Sequence, residues 1–372
     1  MISLEPHHLP ARHAAPRFRF SMTHASVKTR NLKWLLAALP AVWSLALAPA
    51  PAAGAEPAVI RYATIMPKGI GQDFILTKLE QDWRKATDGA FILHRSPGGP
   101  KEGEAGIVRK LRSGNYQAAM VSVIGLCEIE PDVAALQKMP LVFRDWAEID
   151  YVREKIRGEL EAKVAAQGFI VLFWADSGWV NFFSVREAET PEDFRKMKLF
   201  SWAGDEPEVR IMKSLGYQPI ALETDYIISS LASGMIDAAP MPPTFALAVQ
   251  VPSVAPHVLE MNWAPIVGAC VIRKDVWDRI SPDVQARLRL ICDAAAAELR
   301  AEGRQFHEDA MATLRKGPKT YVHSLTAEQR AAWDAFAQDL WTKVRGTLVS
   351  APIFDEVQQL LQEYRASKHA AP

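Results

Sequence analysis

The chain is poor in the residues that perform covalent chemistry. Its 372 residues include three cysteines, Cys127, Cys270 and Cys292, too few and too far apart for a disulfide framework. All three lie in apolar surroundings, the usual setting of buried thiols; an oxidising compartment permits one bridge, and the sequence does not choose the pair. There is no Gly-x-Ser-x-Gly elbow and no Cys-x-x-Cys pair, and His307-Glu308 lacks the second histidine four residues on that a metalloprotease helix requires. Beyond the leader, His94, His257, His307, His323 and His369 are scattered without ligand spacing. The run from Gly98 to Gly103 is followed by Glu104-Ala105 where a phosphate loop needs Lys-Ser/Thr, so it reads as a turn into a helix. No cofactor, metal or catalytic centre is expected, and the chain is not expected to be an enzyme.

What is present is a large apolar fraction. At 49% hydrophobic and 23% charged residues, the chain can bury a sizeable core divided between about two domains. Lys28, Arg30 and Lys33 precede an apolar run over 34–50, and Ala53-Gly54-Ala55 supplies small residues for cleavage, the pattern of a secretory signal peptide over 1–55. Met22 is an alternative start. Pro40 and Pro49 interrupt the run, and it is shorter than a spanning helix needs. No other segment could span a bilayer. Without the leader, 37 basic residues face 42 acidic ones, a formal charge of −5. That balance, with no dense basic stripe, argues against nucleic-acid binding.

From residue 59 onward, strand-like and helix-like segments alternate: strands near 59–65, 91–94, 118–123 and 169–174, with helices near 74–86, 104–111 and 146–166. This βαβ rhythm predicts an α/β fold of two lobes. The first spans 56–177 and takes back about 266–305, through a strand at 266–272; the second spans 178–265 with about 306–372. A helix from Ser281 to Gly317 is predicted to cross both lobes, with Pro282 at its first turn and Gly317-Pro318 as its stop. A short strand near 319–323 and two helices starting near Leu325 and Ile353 complete the chain.

The runs SPGGPKEGEAGIVRKLRSGNYQAAMVS, SGWVNFFSVREAETPEDFRKMKLFSW and SLGYQPIALETDYIISSLASGMIDAAPMPP, followed by the long helix, resemble the periplasmic solute-binding subunits of tripartite ATP-independent periplasmic (TRAP) transporters. The resemblance covers 58 to about 348. It implies a periplasmic-binding-protein-like fold that closes by hinge motion on a solute and delivers it to integral-membrane transporter subunits. It also implies where the solute's anchors should stand. The family's arginine after the Gly-aromatic pair is Val180 here, the arginine in the strand after Pro191-Glu192-Asp193 is Phe200, and the asparagine after Gly234-Met235-Ile236-Asp237 is Met241.

A carboxylate taken out of water needs a charge-assisted partner, commonly a bidentate arginine. Val180 and Phe200 cannot supply one. Strand alternation puts Val180 with Phe182, and Phe200 with Trp202, on common faces. With Trp179, Leu222, Met66 and Ile124 they would form an apolar wall, beside which Asp176 could accept a hydrogen bond or simply occupy a turn. The expected ligand is therefore hydrophobic or amphipathic, such as a lipid, sterol or aromatic compound. Some family subgroups without the arginine work with helical-repeat periplasmic partners, and such a partner is a further expectation. Two alternatives stay open: an organic acid held by other cations, of which Lys68, Arg95 and Arg144 are candidates, and a lipid shuttle acting without a permease.

Overall fold

The computed structural model describes residues 57–64, 66, 72–96 and 99–369; the leader and Lys68 lie outside them. In chain order the elements are β1 (Ala58–Thr64), α1 (Asp73–Ala86), β2 (Phe91–Arg95), α2 (Gly99–Arg112), β3 (Ala118–Ser122), α3 (Val123–Cys127), α4 (Trp146–Ala166), β4 (Phe169–Trp179), β5 (Asn181–Ser184), α5 (Pro191–Arg195) and β6 (Lys198–Trp202). They continue as α6 (Glu206–Ser214), β7 (Gln218–Leu222), α7 (Ile227–Ser233), β8 (Ala238–Met241), α8 (Pro243–Ala248), β9 (His257–Glu260), β10 (Pro265–Arg273), α9 (Lys274–Trp277), α10 (Pro282–Lys316), β11 (Tyr321–Ser324), α11 (Ala327–Val344) and α12 (Ala351–His369). Among the described residues no helix is long and apolar enough to cross a membrane.

Local chemistry sets many of these boundaries. Asp145 caps α4 by accepting from the Glu148 amide, and Thr190 with Asp193 and Thr326 with Gln329 form reciprocal capping boxes that start α5 and α11. Helix α2 is broken at Gly103, whose φ of 63° favours glycine. Strand β4 runs five residues past the apolar stretch that predicts it, ending at Trp179 instead of Trp174. That extension carries Asp176 and leads straight to the crossing between sheets.

Two mixed sheets form the two lobes. The first has the order β2-β1-β3-β10-β4 and the second β11-β9-β5-β8-β6-β7. The chain passes from one to the other between β4 and β5, and returns between β9 and β10. One face of the first sheet packs Ile60, Tyr62 and Cys270 against Ile75 and Trp83 of α1 and Leu288, Cys292 and Leu299 of α10. One face of the second packs Phe183, Phe200 and Met241 against Met311 and Leu314 of the same α10. The long helix thus serves both cores, as its unbroken periodicity predicts; 35 residues give it a length of about 52 Å. It touches β4 at Gly303, where a Cβ would sit 2.4 Å from the Asp176 carbonyl oxygen and 2.8 Å from Gln72 Nε2. Only glycine permits that approach. Helix α12 returns to α4, where Arg365 forms a two-pronged ion pair with Glu148 at 2.7 and 2.8 Å. All three cysteines are free thiols, with Cys270 and Cys292 buried and Cys127 half-buried.

Candidate functional site

In open α/β sheets, ligands bind beyond the carboxyl ends of parallel strands, where helix and loop starts leave a crevice. β6 runs parallel to both β7 and β8, and β1 runs parallel to β3. Trp202, Leu222 and Met241 are the last residues of β6, β7 and β8. Met66 and Ile124 each lie two residues past the ends of β1 and β3. Five of the ten candidates therefore stand at carboxyl ends, three in one sheet and two in the other.

Packing divides the ten further. Phe200 and Met241 are buried in one apolar cluster, with Trp202 and Leu222 packed against it half-buried. The Phe200 and Trp202 rings meet edge to face at 5.1 Å, and pairing in register sets Trp202 beside Leu222. Trp179 and Phe182 belong to a different core: Trp179 lies 4.8 Å from Trp146, and Phe182 sits among Phe194, Trp263 and Trp333. The strand pleat is the reason, since Phe182 and Phe183 point to opposite faces of β5. Val180 is at the crossing itself. Its amide donates to the Ala264 carbonyl at 2.8 Å and its carbonyl accepts from Trp263 at 2.9 Å, which ties the outgoing chain to the returning one.

Asp176 is fully buried, with 0% exposure. Its carboxylate accepts from Arg153 at 2.6 Å and Arg304 at 2.7 Å, and both arginines also hold Asp150. Burial lowers the pKa of Arg304, but its bonds to Asp150 and Asp176 outweigh that and leave it raised. A cavity of about 520 Å³ opens beside this network at the free edge of β4. Arg153, Arg157 and Arg300 line it together with Asp150, Glu154 and Asp293, so its charges balance.

A largely buried cation, marked by no sequence motif, stands beside the turn that follows Trp202. Lys138, which follows a short 3-10 turn at 131–136 in the first lobe, pairs with Asp205, the residue preceding α6 in the second. Burial pulls the Lys138 pKa down, yet Glu208 and Asp205 outweigh it and leave it raised. Glu208 is pushed up to about 8 by loss of solvent first and by the Asp205 charge second, against the pull of Lys138. The acids are placed by local rules: Asp205, Glu206 and Glu208 occupy the start of α6, where the helix dipole favours negative charge, and Pro207 is compatible with the first turn. The acid-rich Asp205-Glu206-Pro207-Glu208, which begins three residues past Trp202, was the available sequence signal. Opposite, the Glu104 carboxylate accepts from the Ser122 amide, the Ser122 hydroxyl and the Gly125 amide at 2.7 to 2.8 Å, closing the end of β3. Of the alternative cations, Arg95 is committed to Asp73, Glu80 and Tyr62, and Arg144 is exposed.

Comparison with known proteins gives this geometry a context. The model of the bacterial extracellular solute-binding proteins, family 7 (DctP), matches residues 68–347. The C4-dicarboxylate-binding periplasmic protein DctP of Rhodobacter capsulatus is 25% identical over 309 residues, 81% of this chain and 90% of that protein. Among solved structures, a TRAP periplasmic solute-binding protein from Ochrobactrum anthropi, with a C-terminus bound in its ligand pocket, superimposes with a TM-score of 0.74 at 19% identity, covering 84% of this chain and 97% of that one. The sugar-acid-binding protein DctPAm from Advenella mimigardefordensis, in complex with galactonate, gives 0.72 at 18% identity, covering 83% and 99%.

Proposed function

This chain belongs to family 7 of the bacterial extracellular solute-binding proteins, the TRAP type, and from that membership we propose that it is exported by a cleaved leader and captures an amphipathic solute between its lobes. The solute's apolar body would lie on Trp202, Leu222, Phe200 and Met241, and its polar end would meet Lys138, Asp205 and Glu208. The observation that supports this is the composition of the carboxyl ends of β6, β7 and β8, which finish in Trp202, Leu222 and Met241. Covering such a surface contributes about 25 cal/mol per Å² of apolar area. Binding without turnover, and delivery to integral-membrane subunits, complete the reading. We assign the closing units as 56–177 with about 266–305, and 178–265 with the following part of α10 and α11. Helix α12 travels with the first unit, because it rests on α4. The Val180 crossing is the hinge.

A second reading, favoured by Lys138 and by the dicarboxylate and galactonate in the names of the relatives, makes the ligand an organic acid that displaces Asp205 from Lys138. Thermal shift with dicarboxylates and sugar acids against fatty acids, sterols and aromatic acids separates the two, since the true ligand raises the melting temperature by mass action. Stabilisation by small hydrophilic acids alone, abolished in Lys138→Met, would sink the amphipathic reading. Stabilisation by apolar solutes, weakened in Trp202→Ala, supports it.

A further inference from the structure

Away from the cleft, at the β11 edge of the second sheet, the fold assembles histidines and carboxylates that are far apart in sequence. His257 on β9 and His323 on β11 come together because the two strands pair in parallel, with Tyr321 opposite His257 and His323 opposite Leu259. The rings stack at 5.4 Å, and His257 Nδ1 lies 3.1 Å from His323 Nε2. The other nitrogen of His323, Nδ1, faces Glu189 Oε1 at 2.9 Å. Glu187 stands beside them, and one ligand atom each from Glu187, Glu189 and His323 lies within 4.8 Å of the others.

From this arrangement we propose a zinc site in which His323 Nδ1, Glu189 and Glu187 are the protein ligands and water completes the coordination. One nitrogen and two carboxylate oxygens form a donor set that suits zinc. Tetrahedral zinc at about 2.0–2.2 Å from each ligand sets them about 3.4 Å apart: the exposed Glu187 side chain can swing in by rotation, and the 2.9 Å contact between His323 and Glu189 opens by about 0.5 Å. The residues around the ligands are arranged as metal sites require. A metal-bound histidine donates its remaining N–H to a neighbour, which fixes the ring; His323 Nε2 has His257 Nδ1 as that acceptor. Glu189 is held at both ends: Gln329 Nε2 donates to its carboxylate, and Trp333 Nε1 donates to its carbonyl at 2.8 Å. The metal would pin the segment before α5 and the start of α11 to the edge strand. The alternative is a hydrogen-bonded chain from Glu189 through His323 to His257 that holds no metal. This proposal is independent of the solute reading.

The test is titration of the chelator-stripped protein with zinc chloride by isothermal calorimetry, with the melting temperature followed in parallel. One zinc per chain with a raised melting temperature is expected. Glu187→Gln, on an exposed side chain, is expected to weaken binding at least tenfold without altering the metal-free melting temperature. His257→Ala, which leaves every ligand in place, is expected to weaken it about 10- to 100-fold at unchanged stoichiometry. No zinc uptake, or uptake unchanged in a folded Glu187→Gln, His323→Gln double variant, would overturn the site.

Discussion

At the edge strand β4 the protein buries a carboxylate and surrounds it with guanidinium groups; the strands β6, β7 and β8 instead finish in the apolar Trp202, Leu222 and Met241. The first region welds elements together. Asp176 joins α4 through Arg153 and α10 through Arg304, so the arginines there are committed to the fold. In the second region Phe200 and Met241 are buried, while Trp202 and Leu222 stay half-buried at the strand ends. Beside Trp202, the pair of Lys138 and Asp205, with Glu208 next to it, links the two lobes. An arginine is useful to a solute only where no aspartate has already claimed it.

The comparison breaks most visibly at Arg153. Removing it in Arg153→Ala leaves the buried Asp176 with one partner, and a loss of about 3 kcal/mol in urea unfolding is expected; a change within error would mean that the network does not hold β4. Gly303→Ala probes the same seam by volume. A methyl group driven into the Asp176 carbonyl should cost about 2 kcal/mol by the same measurement, whereas alanine would otherwise favour the helix.

His307, also on α10, lies beside the network, and its Nδ1 accepts from the Trp179 amide at 3.4 Å. Burial first, and Arg315 second, lower its pKa from 6.5 to about 4. A depressed pKa means that the unfolded chain takes up the proton more readily. The contribution is complete above pH 6.5 and is lost as pH falls toward 4, by about 3 kcal/mol in all. In His307→Gln the decline across that window should be shallower than in the parent, and an unchanged slope would remove His307 as its source.

The wall gives the smallest effect on the fold and the most specific one on binding. Trp202→Ala should weaken an apolar ligand about tenfold, close to 1.4 kcal/mol, with little change in urea midpoint because Trp202 is half-exposed. A large loss of stability with no loss of binding would class Trp202 with the core.

Much of the architecture was legible in the chain. Helix α4 begins at Trp146 and ends at Ala166, as its pattern reads, because Asp145 supplies the cap and an apolar stripe of Ile149, Val152, Ile156 and Leu160 supplies the face. The span of α10 follows from Pro282, Gly317 and its unbroken periodicity. The site was legible only in part. Phe200, Trp202, Leu222 and Met241 come together, but Trp179 and Phe182 are drawn into another core, because on a sheet buried on both faces a hydrophobic residue does not declare its side.

The sequence alone determined the alternation of strands and helices and the span of the long helix, since these depend on neighbours within a few residues. Tertiary structure decided which charges meet. Asp176 with Arg153 and Arg304, Lys138 with Asp205, and His257 with His323 are separated by 23 to 128 residues in the chain. Such pairs depend on strand order and helix crossing, and neither leaves a local periodic trace.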